Sequence, residues 1–276
     1  MSFDLPTTMK ALVKTSEGKS FEYKDVPVPV PQNDEVLIKV DAMSVCGSDI
    51  NLYNWNDVAR VIASVPFTPG HECAGTVVKC GPQASIPLGS KVGVENHYYC
   101  GSCYQCTHDE REICKNMGQF GHGKKTPYGG AAEYTIVPAK FLYTLKRDLS
   151  PDEIAMLEPL GVAHNATERL SVKGEDVLFV MEFTNTDGMG RICECSGAPI
   201  MVNASFSMLL FKALTLKTVH GRRIYHTWEE TENLVADGKV DVNRMISHRF
   251  PMSKFEEAFD VLFSGKACKI VLYPSQ

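Results

Sequence analysis

Four cysteines within one 15-residue stretch constrain this chain more than any other feature, at the spacing Cys100-x2-Cys103-x2-Cys106-x7-Cys114. Thiolates separated by two residues can turn back onto one tetrahedral ion, and a fourth can return after a short excursion. Gly101 eases that turn. An iron–sulfur run of the bacterial ferredoxin kind has three residues before its last Cys and Pro after it. Here seven residues intervene and Lys115 follows. Four sulfurs leave no open coordination position, so the expected ion is a structural zinc.

The rest of the composition agrees with a thiol-rich intracellular protein. The opening MSFDLPTTMK lacks a basic start followed by an apolar run, so no secretory leader is read there and the cysteines are expected to be reduced. The most apolar stretch, Ala204–Leu216, contains Lys212 and is too short to span a bilayer. A cytoplasmic protein without membrane contact is the expectation. Lys plus Arg number 28 against 33 Asp plus Glu, which leaves no basic surplus for nucleic acid.

Residues 1–150 read as short strands broken by Gly and Pro: Met9–Lys14, Glu35–Ala42, Gly75–Val78, Gly89–Val94 and Ala131–Val137 alternate or carry β-branched runs. That pattern predicts a barrel-like β domain. The character changes at Ser150-Pro151-Asp152-Glu153, which combines an N-cap hydroxyl, Pro at the first helical position and early acids. A helix is predicted from there, broken or restarted at Pro159. Strands are predicted at Val177–Val180, Arg191–Cys195 and Ala213–Val219, then a helix opening at Phe255 and a closing strand at Lys269–Tyr273.

Two further short motifs carry metal-ligating residues: Val45-Cys46-Gly47-Ser48-Asp49 after a strand, and Gly70-His71-Glu72 in a turn before one. Each alone is weak. Taken with the four-cysteine lobe, Tyr53-Asn54-Trp55, Glu158-Pro159-Leu160-Gly161, Ser196-Gly197-Ala198-Pro199 and Gly221-Arg222-Arg223 to Trp228, the chain resembles the zinc-dependent medium-chain dehydrogenases.

That resemblance implies a GroES-like β-barrel catalytic domain over 1–150. It further implies a truncated Rossmann-type, doubly wound α/β remnant over 151–250 and a returning helix and strand over 251–276. It implies a catalytic zinc held by Cys46, His71 and Glu72, with Glu158 as a fourth or exchangeable ligand, beside the structural zinc of Cys100, Cys103, Cys106 and Cys114. A Lewis-acid zinc needs such a mixed ligand set with one open position. Ser48 is placed by the resemblance to take the proton of the substrate hydroxyl. Asn51 stands where relatives often carry a titratable His, so the relay is expected to end in water. His97 is the substitute candidate for an active-site His, and Val219 and His220 match positions near the nicotinamide. The implied activity is NAD-linked oxidation of a small secondary alcohol, L-threonine first and a polyol second, by a homo-oligomer. Without a cofactor half, the chain would instead be an inactive zinc-binding module.

A dinucleotide-binding fold normally spends 30 or more residues on each βαβ unit, and only 78 residues lie between Lys173 and Phe250. No G-x-G-x-x-G follows Val177–Val180; Gly188-Met189-Gly190 is a fragment that precedes a predicted strand. Against the resembled family, two blocks are expected to be absent, one at the Val180–Met181 join and one near Pro199–Met201, which a splice or deletion form, an engineered truncation or omitted segments of a longer chain would each produce. The pyrophosphate therefore lacks its usual cradle of amides at a helix N-terminus. Calorimetric titration of this chain with NAD is expected to show weak binding or none; micromolar affinity would contradict the deletion.

Overall fold

A computed structural model of the protein describes residues 3–171 and 219–275. The strands expected at Val177–Val180 and Arg191–Cys195, and all of Ala213–Val219 but its last residue, lie outside the described residues. The strands are β1 (Thr8–Val13), β2 (Glu22–Pro27), β3 (Glu35–Ser44), β4 (Glu72–Cys80), β5 (Lys91–Val94), β6 (His97–Tyr98), β7 (Gly118–Gln119), β8 (Tyr134–Pro138), β9 (Leu142–Thr144), β10 (Ile246–Pro251) and β11 (Lys269–Tyr273). The helices are α1 (Gly47–Asn54), α2 (Asp57–Ile62), α3 (Tyr104–Thr107), α4 (Pro151–Leu170), α5 (His226–Ala236) and α6 (Phe255–Phe263).

The main sheet has the order β10-β11-β3-β4-β5-β9, with β8 pairing β3 off that path. The long strand β3 organises it. Its first half pairs β8 from Glu35↔Pro138 to Lys39↔Tyr134, and its end pairs β11 at Met43↔Leu272 and Ser44↔Val271. Along its other edge it pairs β4, with register shifts at Leu37/Ile38 and Val40/Ala42 that bend the strand. The barrel-like β domain expected over 1–150 is present, without closing on itself among the described residues. Among the described residues the path ends at β9 and β10, which do not pair, so this mixed α/β sheet stays open and uses its free face to receive helices.

Helix α4 covers that face. Ser150 caps it with a reciprocal box: the Glu153 N–H donates to Ser150 Oγ (3.3 Å) and the Ser150 N–H to Glu153 Oε2 (2.8 Å). The helix runs unbroken through Pro159, against the sequence expectation. Proline removes one amide donor there, but Ile154, Ala155 and Leu157 are buried against Ala42, Ala74, Tyr143 and Trp228, and that packing holds the helix together.

Trp228, on α5, locks the layer. It is 1 % exposed, stacks on Tyr143 with ring centroids 5.3 Å apart, and donates Nε1–H to Glu95 Oε2 at 2.8 Å. Gly93 on β5 makes the room: a Cβ there would stand 2.5 Å from the indole. Trp228→Ala is expected to cost about 3–5 kcal/mol, measured by denaturant unfolding. A loss below about 1 kcal/mol would contradict the locking role.

Candidate metal centres

The first centre is local in sequence. Helix α3 and a short 3-10 turn at Arg111–Ile113 bring Cys100, Cys103, Cys106 and Cys114 together, with sulfurs all within 4.8 Å of one another. Cys103 Sγ lies 3.5 Å from Cys106 Sγ and 3.7 Å from Cys114 Sγ. Sulfurs on a tetrahedron of ~2.3 Å bonds stand about 3.8 Å apart, so this spacing suits one ion. Backbone amides point at the sulfurs: Ser102 N–H reaches Cys100 (3.5 Å), while Cys100 N–H and Asn116 N–H reach Cys114 (3.3 Å each). Ser102 and its neighbours bring the Cys100 thiol down to about 5. Burial pushes Cys106 up to about 12, so a bound cation is what would keep all four as thiolates.

The second centre is assembled across the sheet. Ser44 at the end of β3 pairs with Glu72 at the start of β4, which brings Cys46 level with His71. Cys46, His71 and Glu72 present ligand atoms within 4.8 Å of one another. Cys46 is the N-cap of α1, and its own N–H donates to Asp49 Oδ2 at 2.9 Å. His71 is 4 % exposed, and its Nδ1 has no hydrogen-bond partner. Burial alone would lower the His71 pKa; the hydrogen-bonded Cys46 sulfur, with Asp49 and Glu158, raises it to about 10. Ser48 Oγ, at the start of α1, is likewise buried and without a partner.

The two acids are differently engaged. Lys269 of β11 sets its Nζ 2.7 Å from Glu72 Oε1 and 2.6 Å from Oε2, and Ser44 Oγ also donates to Glu72. Burial disfavours the Glu72 carboxylate, but Lys269 and His71 hold its pKa below the ordinary value. Glu158, on α4, accepts from Asn96 Nδ2 (3.2 Å) and from Arg222. Arg222 is 0 % exposed and also reaches Glu95 Oε1 (2.6 Å) and Asn96 Oδ1 (2.7 Å). Burial would raise the Glu95 pKa; the Arg222 charge and His97 bring it down to about 2.

The remaining predicted residues surround this core. His97 is buried, with Nδ1 3.2 Å from Glu95 Oε1, and its ring centroid lies 5.4 Å from that of His220. Gly221, at φ +57, lets the chain pass: a Cβ there would stand 2.6 Å from His97 Cε1. His220 is exposed and Val219 half-buried beside it. Asn51 is half-buried on α1 and accepts from Asn56 Nδ2 at 2.8 Å.

Sequence reasoning missed Glu95, Asn96, the charge role of Arg222, and Lys269, because their partners are up to 197 residues away. His122 lies in none of the motifs and carries no such signal either. His122 is 5 % exposed and its ring lies 4.9 Å from that of His71.

Residues 32–147 match the alcohol dehydrogenase GroES-like domain. This match and the relatives that follow support an oxidoreductase of the medium-chain dehydrogenase kind. It is similar to the L-threonine 3-dehydrogenase of Thermococcus kodakarensis, 29 % identical over 346 aligned positions that cover 96 % of this chain and 98 % of that one. Those 346 positions exceed the 276 residues here, so at least 346 − 276 = 70 of them are gaps in this chain. Its fold is similar to that of 2R,3R-butanediol dehydrogenase from Bacillus subtilis (TM-score 0.82, 19 % identity, 96 % and 99 % of the two chains). It is also similar to the cobalt- and zinc-bound alcohol dehydrogenase from Pyrobaculum aerophilum (TM-score 0.78, 21 % identity, 97 % and 100 %).

Cys103→Ser removes a thiolate from a closed four-sulfur centre and is expected to destabilise the fold, because structural metal binding contributes folding free energy. Thermal unfolding with metal analysis checks this. An unchanged melting profile with undiminished zinc content would contradict the centre.

Proposed function

We propose that this chain is a zinc-dependent, NAD-linked oxidoreductase of small secondary alcohols, and that its substrate is L-threonine, oxidised at C3 to 2-amino-3-ketobutyrate. The observation that carries the reading is the gathering of Cys46, His71 and Glu72 within 4.8 Å of one another, with two buried atoms of the same segments, His71 Nδ1 and Ser48 Oγ, left without a partner. A buried polar atom without a partner is costly, and a resident ion with a bound hydroxyl would satisfy both. The similarity to threonine 3-dehydrogenases favours threonine over a polyol.

Cys46 and His71 would hold the ion, with Glu72 and Glu158 as the carboxylate ligands. Glu72 can accept from Lys269 and still offer a lone pair, since a carboxylate has about four acceptor positions. The ion, when bound, supplies a Lewis acid that lowers the pKa of the substrate hydroxyl.

The chain's own residues handle the proton. Ser48 Oγ receives it from the hydroxyl. Asn51, three residues on along α1, cannot titrate, so the proton passes from Ser48 to water. Arg222 neutralises Glu158 and keeps it aimed at the site, while Glu95 fixes the His97 ring at the mouth.

A nicotinamide dinucleotide, when bound, supplies the hydride acceptor. Val219 and His220 are the residues here that would meet its nicotinamide end. The phosphate end does not fit this chain, because the sequence has no Gly-rich turn to cradle it. Residues 1–150 with 251–276 form the catalytic unit in this reading, and 151–250 hold the remnant of the cofactor domain.

In a chain with its cofactor half present, Ser48→Ala is expected to lower kcat by roughly 10²-fold or more, with a smaller change in KM. Asn51→His should raise the rate near neutral pH by restoring a titratable exit. Steady-state kinetics across the pH range check both. Full activity of Ser48→Ala at every pH would overturn the role of Ser48.

A further inference from the structure

His122 is held against the metal centre by a turn built for that placement. It sits between Gly121 at φ +78 and Gly123 at φ +75, both in the region that favours glycine. A Cβ at Gly121 would stand 2.5 Å from Gly70 O, and one at Gly123 would stand 1.9 Å from Ser64 O. The turn is therefore wedged between the segment that delivers His71 and the one before Phe67. Ser64 N–H donates to His122 O at 2.9 Å and Gly121 N–H to Tyr128 O at 2.8 Å, so the backbone is tied on both sides.

The ring has one chemistry left open. Its Nδ1 lies 3.1 Å from Phe120 O. A carbonyl only accepts, so the hydrogen is assigned to Nδ1. Nε2 then carries a lone pair and has no protein partner among the described residues.

We propose that His122 is a specificity-determining residue of the alcohol site: Nε2 accepts a hydrogen bond from a second donor on the substrate, next to the hydroxyl that reacts. The inference rests on the alcohol-oxidation reading above and narrows its substrate class. A vicinal amino alcohol such as L-threonine supplies an ammonium donor, and a vicinal diol supplies a hydroxyl. A simple secondary alcohol supplies neither. The site would thus select 1,2-bifunctional alcohols.

The test uses the whole chain loaded with cobalt, whose visible absorption reports ligands arriving at the Cys46–His71 centre without turnover. L-Threonine, 2,3-butanediol and 2-butanol are titrated into wild type, His122→Phe and His122→Gln. Wild type should prefer one or both bifunctional ligands over 2-butanol. His122→Phe should lose that preference by roughly tenfold, the size of one hydrogen bond, with 2-butanol affinity little changed. His122→Gln, which keeps an acceptor near the Nε2 position, should recover part of it. Loss confined to threonine assigns the ammonium as the donor; loss confined to the diol assigns the hydroxyl. Undiminished preference in His122→Phe with an unaltered cobalt spectrum would overturn the proposal. If His122→Phe takes up no cobalt, His122→Leu takes its place: preference lost with 2-butanol binding retained supports the proposal, and equal loss for all three ligands overturns it. If none of the three moves the wild-type spectrum, the alcohol-oxidation reading itself fails, and this inference falls with it.

Discussion

A single buried guanidinium sets the terms for the rest of the structure. Arg222 is withdrawn from water and lies between Glu95 and Glu158, with Asn96 accepting a further hydrogen bond. Such a charge is tolerable only while its partners are in place; removing one partner of a buried pair typically costs about 3–5 kcal/mol. The three groups come from separate parts of the chain: the β5–β6 junction, the middle of α4, and the segment that precedes α5. Their mutual requirement fixes α4 over the sheet, holds Glu158 against Asn96 and Arg222, and brings Gly221 against His97. Gly161 shows how tight the fit is, since a Cβ there would stand 2.6 Å from Arg222 Cδ.

The proposed catalytic centre is fastened from the far end of the chain as well. Lys269 leaves the last strand to pair with Glu72, and β11 hydrogen-bonds to β3 beside Ser44. The C-terminal strand is therefore part of the metal centre rather than an appendage. Its crossover, β10 to α6 to β11, places Phe255 and Phe259 in the main core, where Phe259 stacks on Tyr53 of α1 with ring centroids 4.8 Å apart. A helix that carries the proposed proton acceptor is thus supported by α6.

What could be read in advance follows from the range of the interactions. The four-cysteine lobe is legible because its ligands are neighbours, and the α4 cap is legible because Ser150 and Glu153 answer each other three residues apart. Cys46, His71 and Glu72 come together as the family resemblance implies. The barrel-like β domain was legible from its short alternating strands, but whether it closes was not, because that depends on whether β9 and β10 meet, and alternation along a strand carries no information about that. Pro159 misled for a related reason: local propensity favours a break, and burial of Ile154 and Leu157 outweighs it. Arg222 and Lys269 look like ordinary surface cations until their partners, up to 197 residues away, are placed beside them. His122 belonged to no motif, and only the two glycine-enabled close approaches reveal its position.

The account depends on an ion resting between Cys46 and His71, separate from the one in the cysteine lobe. Diffraction from crystals of the zinc-loaded protein, measured on both sides of the zinc absorption edge, tests this most directly. The account predicts two anomalous peaks: one central to Cys100, Cys103, Cys106 and Cys114, the other within bonding distance of Cys46 Sγ and a His71 ring nitrogen, with Arg222 still between Glu95 and Glu158. A peak in the cysteine lobe alone, from crystals grown with zinc in excess, would contradict it.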